Sequence, residues 1–313
     1  HNLSSQAYYL HKLWRTRPGV RPEDWLDGWD YHIIYPLFRD THRSRILDDK
    51  CEFDAFCTRH GLPGLPIIAV VPGTGEVDWH SADRRLPAAD LFVKPVGGSL
   101  GQGTEAYIYD DAGECWRDGD RAFDETDLLA RIGKQASDAD LMVQQRARNH
   151  PEIADLSPDA LCTLRCVTYR FQNESACHFR SVLRMGRQGR IVDHAVHGGL
   201  VAAVGHGGLL CNPRDRYVTG SLDQHPDTGA DIAGRSLPQY QAMQALALRA
   251  HDAIGIAGLV SWDIALIESG PVLVEGNSRG HLDLVQMAHD EPLGLTDYVA
   301  IVERLIAEQA ERG

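Results

Sequence analysis

The amino-acid sequence predicts an α+β protein, on three observations. Apolar residues recur at helical spacing up to about residue 61, and residues 91–143 combine a strand hairpin with one amphipathic helix. From residue 163 onward, strand-like apolar runs are followed by two long helical segments. The 313 residues suffice for one large or two to three small domains, and a hydrophobic content of 43% is ordinary for a globular core.

The first part of the chain is predicted to be short and mostly helical. Aromatic and aliphatic residues follow helical spacing from Tyr8 to Trp14, and a further helix is expected over residues 47–60, ended by Gly61. The apolar run 67–71 lies between Gly and Pro residues and predicts a short strand. We predict residues 1–88 as this N-terminal region.

The next segment, residues 89–147, predicts a small lobe. Residues 91–95 and 104–109 are expected to form two strands of a hairpin, joined by a glycine loop. Residues 124–137 have the pattern of an amphipathic helix, with Leu128 and Ile132 on one side, and a strand follows from Leu141.

The remaining residues, 148–313, predict a larger lobe. Strands are expected over residues 164–171, 176–185, 191–196, 259–267 and 272–275. Helices are expected over residues 236–254 and 296–311, the second capped by Thr296, and residues 198–234 read as a long glycine-rich loop region.

Composition and charge exclude several classes of protein. A net charge of −13 argues against sequence-independent nucleic-acid binding, and no apolar run approaches the roughly 20 residues of a membrane helix. The N-terminus lacks the layout of a signal peptide, so we expect a soluble, cytoplasmic protein with no nucleic-acid or membrane partner. The seven cysteines form no CxxC pair and are expected to be reduced, with Cys162 and Cys166 as small buried residues rather than a metal pair.

The glycine loop is a candidate phosphate site. Glycines 97, 98, 101 and 103 leave many backbone N–H groups unobstructed, and Lys94, one of only four lysines, stands directly before them. The spacing fits neither the dinucleotide fingerprint nor a P-loop, because Thr104 stands where the P-loop lysine should be. Taken alone, the loop reads equally well as a plain tight turn.

Three oxygen-bearing side chains near the C-terminus suggest a metal site. Asp263 lies inside an apolar strand, and Glu275 and Asn277 end the partner strand on one face. Carboxylate and amide oxygens suit Mg²⁺, which takes few protein ligands. An odd-length turn near Ser269 or Gly270 would place Asp263 opposite Glu275 or Asn277, whereas an even turn would send it to the other face. The alternative is an Asp on the solvent side of an edge strand.

In this order, these features resemble the ATP-grasp superfamily, and several segments are similar to its sugar-transfer-associated branch. The segments are Asn149-His150-Pro151-Glu152, Thr163-Leu164-Arg165, Trp262-Asp263-Ile264-Ala265-Leu266 and Glu275-Gly276-Asn277-Ser278. The resemblance spans about residues 48–286. It implies an ATP-grasp fold, in which two α+β lobes clamp ATP, and a reaction in which ATP phosphorylates a carboxylate before an amine or other nucleophile attacks the acyl phosphate.

The resemblance also implies roles for individual residues. Nucleotide contacts fall on Lys50, Lys94, Gly98, Ser99, Gly101 and Gly103, with adenine contacts on Gln144, Gln145 and Ala147. Metal ligands fall on Asp263, Glu275 and Asn277, for two Mg²⁺ ions or, alternatively, Mn²⁺. Substrate contacts fall on His194, His197, Gly198 and Gly199, and His281 is a further candidate beside the metal strand, although such histidines are more often hydrogen-bonded structural residues.

One departure from the family pattern concerns an arginine. Relatives such as the D-alanine ligases place an arginine two residues before the metal-binding Asp, where this chain has Ser261. Arg165, Arg184 and Arg279 are the candidates for that catalytic role. Other arginines crowd into residues 165–190, and we expect most of that set to be solvated surface charges.

The resemblance therefore predicts an ADP-forming, Mg²⁺-dependent carboxylate–amine ligase of a small-molecule, natural-product or saccharide pathway. Its substrates would be a small-molecule carboxylate and an amine. One alternative is a phosphotransferase, in which a histidine or hydroxyl receives the phosphate. Another is a non-catalytic ATP-binding regulator, against which the lysines and metal ligands argue. The oligomeric state stays open, with a homodimer as one alternative.

Overall fold

The computed structural model describes residues 3–15, 17–37, 40–97, 103–136, 139–193, 195, 198–216, 222–280 and 282–311. The chain divides into two compact units. Unit 1 comprises His1–Leu47 and Asn149–Gly313, and unit 2 comprises Asp48–Arg148. Each unit contains one antiparallel sheet and several helices, which confirms the α+β prediction.

The helices and strands are numbered in chain order. The helices are α1 (Ser5–Leu10), α2 (Gly28–Leu37), α3 (Thr41–Asp48), α4 (Lys50–Arg59), α5 (Glu125–Gln135), α6 (Tyr240–Ile254), α7 (Asp283–His289) and α8 (Tyr298–Ala310). The strands are β1 (Ile67–Val71), β2 (Asp78–Trp79), β3 (Leu91–Pro95), β4 (Glu105–Asp110), β5 (Cys115–Asp118), β6 (Arg121–Phe123), β7 (Leu141–Gln145), β8 (Thr163–Arg170), β9 (Cys177–Met185), β10 (Leu200–Ala203), β11 (Arg214–Asp215), β12 (Gly258–Ile267) and β13 (Gly270–Asn277).

Unit 2 is built on a seven-stranded sheet with the order β2-β1-β7-β3-β4-β5-β6. The amphipathic helix α5 packs on this sheet through Leu128 and Ile132, which are buried together with Leu91 and Tyr107. The predicted boundary at residue 88 differs from this division, because β1 pairs with β7 and so belongs to the sheet of unit 2.

The helix predicted over residues 47–60 is interrupted at Asp49. The carboxylate of Asp49 accepts hydrogen bonds from the backbone N–H groups of Cys51 and Glu52, at 2.9 and 3.0 Å, and so caps a new helix, α4. An N-cap residue has extended backbone geometry, which ends the preceding helix α3 at Asp48.

Unit 1 is built on a six-stranded sheet with the order β11-β10-β9-β8-β12-β13, and helices cover both of its faces. Successive residues of β8 show the two faces. Val167 packs into a core formed with α2 and α8, whereas the hydroxyl of Thr168 hydrogen-bonds to His251 of α6 at 2.7 Å. The predicted helices in this region are present, but the N-cap residue of α8 is Asp297 and not Thr296, whose hydroxyl accepts a hydrogen bond from the N–H of Tyr298.

The N-terminal helices belong to the same core. Tyr31 and Tyr35 of α2 are 1% and 5% exposed and pack with Tyr298 and Ile301 of α8. The burial of these tyrosines explains why residues 1–47 join unit 1, although the sequence predicted them as part of a separate region.

The strand predicted over residues 191–196 is wrong for the residues of that span that are described. The chain has no regular strand from Ile191 to Asp193, and the sheet continues instead with β10, inside the predicted glycine-rich loop region. Asp193 turns inward to Thr163 and Arg184 of unit 1.

Two other observations concern composition. All seven cysteines are free, and Cys162 and Cys166 are buried, as predicted. Burial raises the pKa of Cys166 to about 12, so its thiol stays protonated and unreactive near neutral pH. Among the described residues, no helix is both long and apolar enough to cross a membrane.

Candidate active site

The hairpin of β12 and β13 places the predicted metal ligands on one face. Asp263 lies opposite Glu275, and Ser261 lies opposite Asn277. The turn itself contains only two residues, Glu268 and Ser269, because Ile267 pairs with Gly270. An even turn would have placed Asp263 opposite Val274.

A β-bulge corrects this register. Asp263 pairs with Glu275 while its neighbour Ile264 pairs with Leu273, so Val274 is the extra residue. The prediction that Asp263 and Glu275 share a face is therefore confirmed, but the expected odd turn is wrong. The bulge supplies the odd residue that the turn lacks.

Asp263 is fully buried and held by two arginines. Arg165 of β8 donates from Nε to Oδ1 and from Nη2 to Oδ2, both at 2.9 Å. Arg184 of β9 donates from Nη2 to Oδ2, also at 2.9 Å. The exposed fraction is 0% for Asp263, 9% for Arg165 and 4% for Arg184. Two of the three predicted catalytic arginines therefore contact a predicted metal ligand.

These contacts keep the buried carboxylate charged. Burial alone would raise the pKa of Asp263, but the charges of Arg165 and Arg184 outweigh it and hold that pKa well below its usual range. Burial alone would lower the pKa of Arg165, and the charge of Asp263 raises it instead. Removing either partner of such a pair leaves an uncompensated buried charge, which is far more costly than losing a surface ion pair.

The network extends to Asp193 and Thr163, which the sequence did not single out. The hydroxyl of Thr163 donates to Asp193 and accepts from Nη2 and Nε of Arg184, at 2.7 and 2.9 Å. Nε of Arg184 also lies 3.4 Å from Oδ2 of Asp193. Arg184 is therefore held between two carboxylates, those of Asp193 and Asp263.

Asp193 could have been found by the signal that identified Asp263. It is a single carboxylate in an apolar run that also contains Ile191, Val192 and Ala195. A buried, unpaired Asp is unfavourable, so an Asp in such a run indicates a cationic partner or a metal. The apolar run predicts a strand. Its partner Arg184 lies on the preceding strand β9, close to Asp193 in the sequence, so the sequence gives no separate signal for the pair.

Ser261 and Gly280 explain why no arginine stands two residues before Asp263. Ser261 is 2% exposed, and a Cβ added at Gly280 would lie 2.1 Å from its Oγ and 2.5 Å from its Cβ. Tyr35 donates a hydrogen bond of 2.5 Å to the carbonyl of Gly280 and fixes that backbone in place. An arginine side chain at position 261 has no room. Arg279, the third candidate, is exposed at the surface.

The predicted phosphate-binding lysines lie on unit 2. Lys50 begins α4, and its Nζ donates to the carbonyl of Val96 at 3.0 Å. Lys94 is half-buried on β3, with Nζ 6.0 Å from the ring centre of Phe92. Lys50 therefore contacts the backbone at the start of the glycine loop.

Part of the glycine loop is described. Gly97 is exposed, and Gly103 has a φ of +68°, a conformation that favours glycine. The predicted contacts Gly98, Ser99 and Gly101 lie outside the described residues.

The predicted adenine residues differ in their surroundings. Gln144 is 5% exposed, and its Nε2 donates to the carbonyl of Leu65 at 2.5 Å, so this side chain serves the packing of unit 2. Gln145 is exposed at the end of β7, and Ala147 is half-buried beyond it. The chain passes from unit 2 to unit 1 directly afterwards, between Arg148 and Asn149.

The predicted substrate residues are only partly described. Gly198 is half-buried with a φ of +87°, and Gly199 is buried immediately before β10. His194, His197 and His281 lie outside the described residues. The expectation that most arginines of residues 165–190 are solvated is wrong, because carboxylates pair with most of that set. The pairs besides those of Arg165 and Arg184 are Arg170 with Asp252, Arg180 with Glu291, and Arg187 with Asp215.

Comparison with known families assigns the chain. A family described as sugar-transfer associated ATP-grasp matches residues 34–302, well over half of the sequence. The chain belongs to the sugar-transfer associated ATP-grasp family. This membership confirms the resemblance read from the sequence and the ATP-grasp fold. No curated protein matches the sequence.

Solved structures agree with the ATP-grasp fold. D-alanine–D-alanine ligase from Bacillus anthracis, complexed with ATP, is 12% identical with a TM-score of 0.50, and the match covers 87% of this chain and 70% of that one. D-alanyl-alanine synthetase A from Vibrio cholerae is 11% identical with a TM-score of 0.50, and the match covers 87% and 67%. At such identities the likeness concerns the fold.

The side chains of this ATP-grasp hairpin fit a magnesium site in their chemistry. Asp263, Glu275 and Asn277 bring two carboxylates and one amide to one face, and water and phosphate oxygens complete the coordination of Mg²⁺. Nδ2 of Asn277 donates to Oε1 of Glu275 at 3.3 Å, a contact that does not use the amide oxygen. In the described ranges, this hairpin included, no three His, Cys, Asp or Glu side chains are grouped to hold a metal ion.

Proposed function

We propose that the protein is an ATP-dependent, ADP-forming carboxylate–amine ligase that requires Mg²⁺. The observation that carries the proposal is the paired arrangement of Asp263 and Glu275 beside two buried arginines, in a chain of the ATP-grasp family. Such a set combines metal-binding oxygens with guanidinium groups, which are the tools for stabilising a phosphoryl group in transfer.

The proposed reaction has two steps. A carboxylate oxygen of the substrate attacks the γ-phosphorus of ATP, and the bond from that phosphorus to the bridging oxygen of ADP breaks. The amine nitrogen then attacks the acyl carbon, phosphate leaves, and the nitrogen loses a proton. The protein supplies orientation and charge, and no covalent enzyme intermediate is needed.

The residues divide these tasks. Lys50 and Lys94 neutralise the phosphates of ATP, and the loop residues Gly98, Ser99, Gly101 and Gly103 donate backbone N–H groups to them. Asp263, Glu275 and Asn277 hold Mg²⁺, which when bound draws charge from the phosphate oxygens.

Two further groups of residues face the adenine and the substrates. Gln144, Gln145 and Ala147 contact adenine through backbone and side chains, and the amide of Gln144 also donates to the carbonyl of Leu65. His194, His197 and His281, with the backbone at Gly198 and Gly199, orient the carboxylate and the amine, and one histidine accepts the proton of the amine.

The proposed substrates come from the family resemblance. A guanidinium group near the metal ligands supports an anionic acceptor such as a carboxylate. A small-molecule carboxylate and an amine, from a natural-product or saccharide pathway, are the proposed partners.

Product analysis tests the proposal. Panels of carboxylates and amines are incubated with ATP and Mg²⁺, ADP is measured, and products are identified by mass spectrometry. We expect ADP formation that depends on a carboxylate and a condensed product that lacks one water. A phosphorylated product without condensation would indicate the phosphotransferase.

The Glu275→Gln variant is the control for this assay. It should bind ATP but lose turnover, because a metal-ligand oxygen is replaced by an amide. ATP turnover unchanged in both Glu275→Gln and Asp263→Asn would contradict an enzymatic role for this site.

A further inference from the structure

Both oxygens of Asp263 already accept hydrogen bonds from guanidinium groups in the observed arrangement. Its Oδ1 accepts from Arg165, and its Oδ2 accepts from both Arg165 and Arg184, all at 2.9 Å. The carboxylate is fully buried, so a cation that reached it would stand beside two guanidinium groups. Like charges at this distance repel strongly away from water. A metal ion at Asp263 therefore competes with the guanidinium groups that hold this carboxylate.

The two arginines differ in how firmly they are held. Arg184 has a second carboxylate, since its Nε lies 3.4 Å from Oδ2 of Asp193. Two of its nitrogens also donate to Thr163, whose hydroxyl in turn donates to Asp193. Arg184 therefore keeps a neutralising partner and its position when Asp263 turns to a metal ion.

Arg165 is held mainly by Asp263. Within the described part of the chain, both of its side-chain hydrogen bonds run to that carboxylate, which faces it directly across β8 and β12. It is also the more exposed of the two arginines, at 9% against 4%. The negative charge of Glu275 acts on it and helps to keep its pKa raised, after the larger effect of Asp263. Arg165 thus lies beside the predicted metal ligands and is the arginine that can leave.

We propose that Arg165 and a divalent cation compete for Asp263, and that the released Arg165 binds the phosphoryl group in transfer. Asp193 acts as a positioning residue, which retains Arg184 during this exchange. The proposal rests on the proposed function and assigns the arginine that position 261 cannot supply, because Gly280 closes that position. Binding of the metal then prepares the anion site, so that the guanidinium becomes available only when the nucleotide-bound metal is in place.

The test measures metal affinity without turnover. Mn²⁺ binding in the presence of ADP is followed by the electron paramagnetic resonance signal of free Mn²⁺. The Arg165→Gln variant lacks the competitor and should bind Mn²⁺ about tenfold more tightly than the unaltered protein. Affinity that is unchanged or weaker would overturn the competition.

A matched control separates this effect from overall charge. Arg180 lies on the neighbouring strand β9 and pairs with Glu291, so Arg180→Gln removes the same charge away from Asp263. Its Mn²⁺ affinity should remain within about twofold of the unaltered protein. An equal tightening in Arg180→Gln would show that net charge, and not release of Asp263, is responsible.

A second readout tests the role of the released arginine. Arg165→Gln should lose carboxylate-dependent ADP formation by about a hundredfold while it binds Mn²⁺ more tightly. If Arg165 had only a structural role, its removal would decrease both ADP formation and Mn²⁺ affinity. Retained turnover in Arg165→Gln would overturn the assignment to the phosphoryl group.

Two points keep the test independent. If Arg165→Gln fails to fold, Arg165→Lys keeps a positive charge but loses the paired donors, and it should bind Mn²⁺ with an intermediate affinity. Failure of the ligase proposal would appear as absence of any condensed product from the unaltered protein. The Mn²⁺ competition would still give its own answer in that case.

Discussion

Arg165 and Asp263 face each other across β8 and β12, and two parallel hydrogen bonds of 2.9 Å join their side chains. The sequence assigned these residues to different tasks, the arginine to the phosphoryl group and the carboxylate to the metal. In the structure each neutralises the other in a buried setting. A metal ion at Asp263 would compete with these guanidinium groups for the same carboxylate oxygens.

Loss of the carboxylate should destabilise unit 1. Asp263→Ala leaves Arg165 and Arg184 without a shared partner in a buried place, and we expect a decrease of about 3–5 kcal/mol in the free energy of unfolding. Urea denaturation in the presence of a chelator measures it. Glu303→Ala, at an exposed position of α8, should change stability by less than about 0.5 kcal/mol. Equal effects of the two variants would contradict the importance of the buried pair.

The same carboxylate predicts a pH dependence. Because the pKa of Asp263 is lowered in the folded protein, its stabilisation is present above the unfolded value of about 3.9 and is lost as the pH falls below it. The free energy of unfolding of Asp263→Asn should therefore decrease less steeply below about pH 4 than that of the unaltered protein. Parallel curves of the free energy of unfolding against pH for the two proteins would contradict the lowered pKa of Asp263.

The contact of Ser261 with Gly280 predicts a compensating pair of substitutions. Gly280→Ala places a methyl group against Ser261 and should destabilise the protein by about 1–3 kcal/mol. Ser261→Gly removes the atoms that clash, so the double variant should recover most of that loss. Strictly additive effects in urea denaturation would contradict the close approach.

His251 predicts a second pH effect through a different mechanism. Burial lowers its pKa to about 4, so the folded protein holds it neutral between Thr168 and the carbonyl of Ile256. The contribution of neutral His251 to the free energy of unfolding is complete above its unfolded pKa of about 6.5. This contribution, about 3 kcal/mol, is lost as the pH falls towards 4. His251→Gln should reduce this slope, and His42→Gln, on the surface of α3, should leave it unchanged. An undiminished slope in His251→Gln would contradict the neutral, buried histidine.

Much of the fold follows from the sequence because its signals are local. Helical spacing predicted α5, α6 and α8, and apolar runs predicted β1, β8 and β9 close to their observed positions. The bulge at Val274 could not be predicted, because it depends on which face of β12 is buried and charged. The unit boundaries differed for a similar reason, since β1 finds its partner β7 about seventy residues later.

The sequence predicted candidate site residues but not their contacts. Asp263 was a candidate as a carboxylate inside an apolar strand, and the arginines were candidates because Ser261 stands where the family has an arginine. The partners of Arg184 were not readable, because Thr163 and Asp193 meet it only when three separate segments pack together. Gln144 stays a predicted adenine contact, and the hydrogen bond from its side chain to the carbonyl of Leu65 could not be predicted from the sequence.

The proposed ligase chemistry is tested most directly by isotope transfer from the carboxylate. The substrate identified by product analysis is labelled with ¹⁸O in its carboxylate, and the released phosphate is analysed by mass spectrometry. Reaction through an acyl phosphate predicts one ¹⁸O atom in each released phosphate, matched by one condensed product. Phosphate without ¹⁸O, released with the condensed product, would contradict the account.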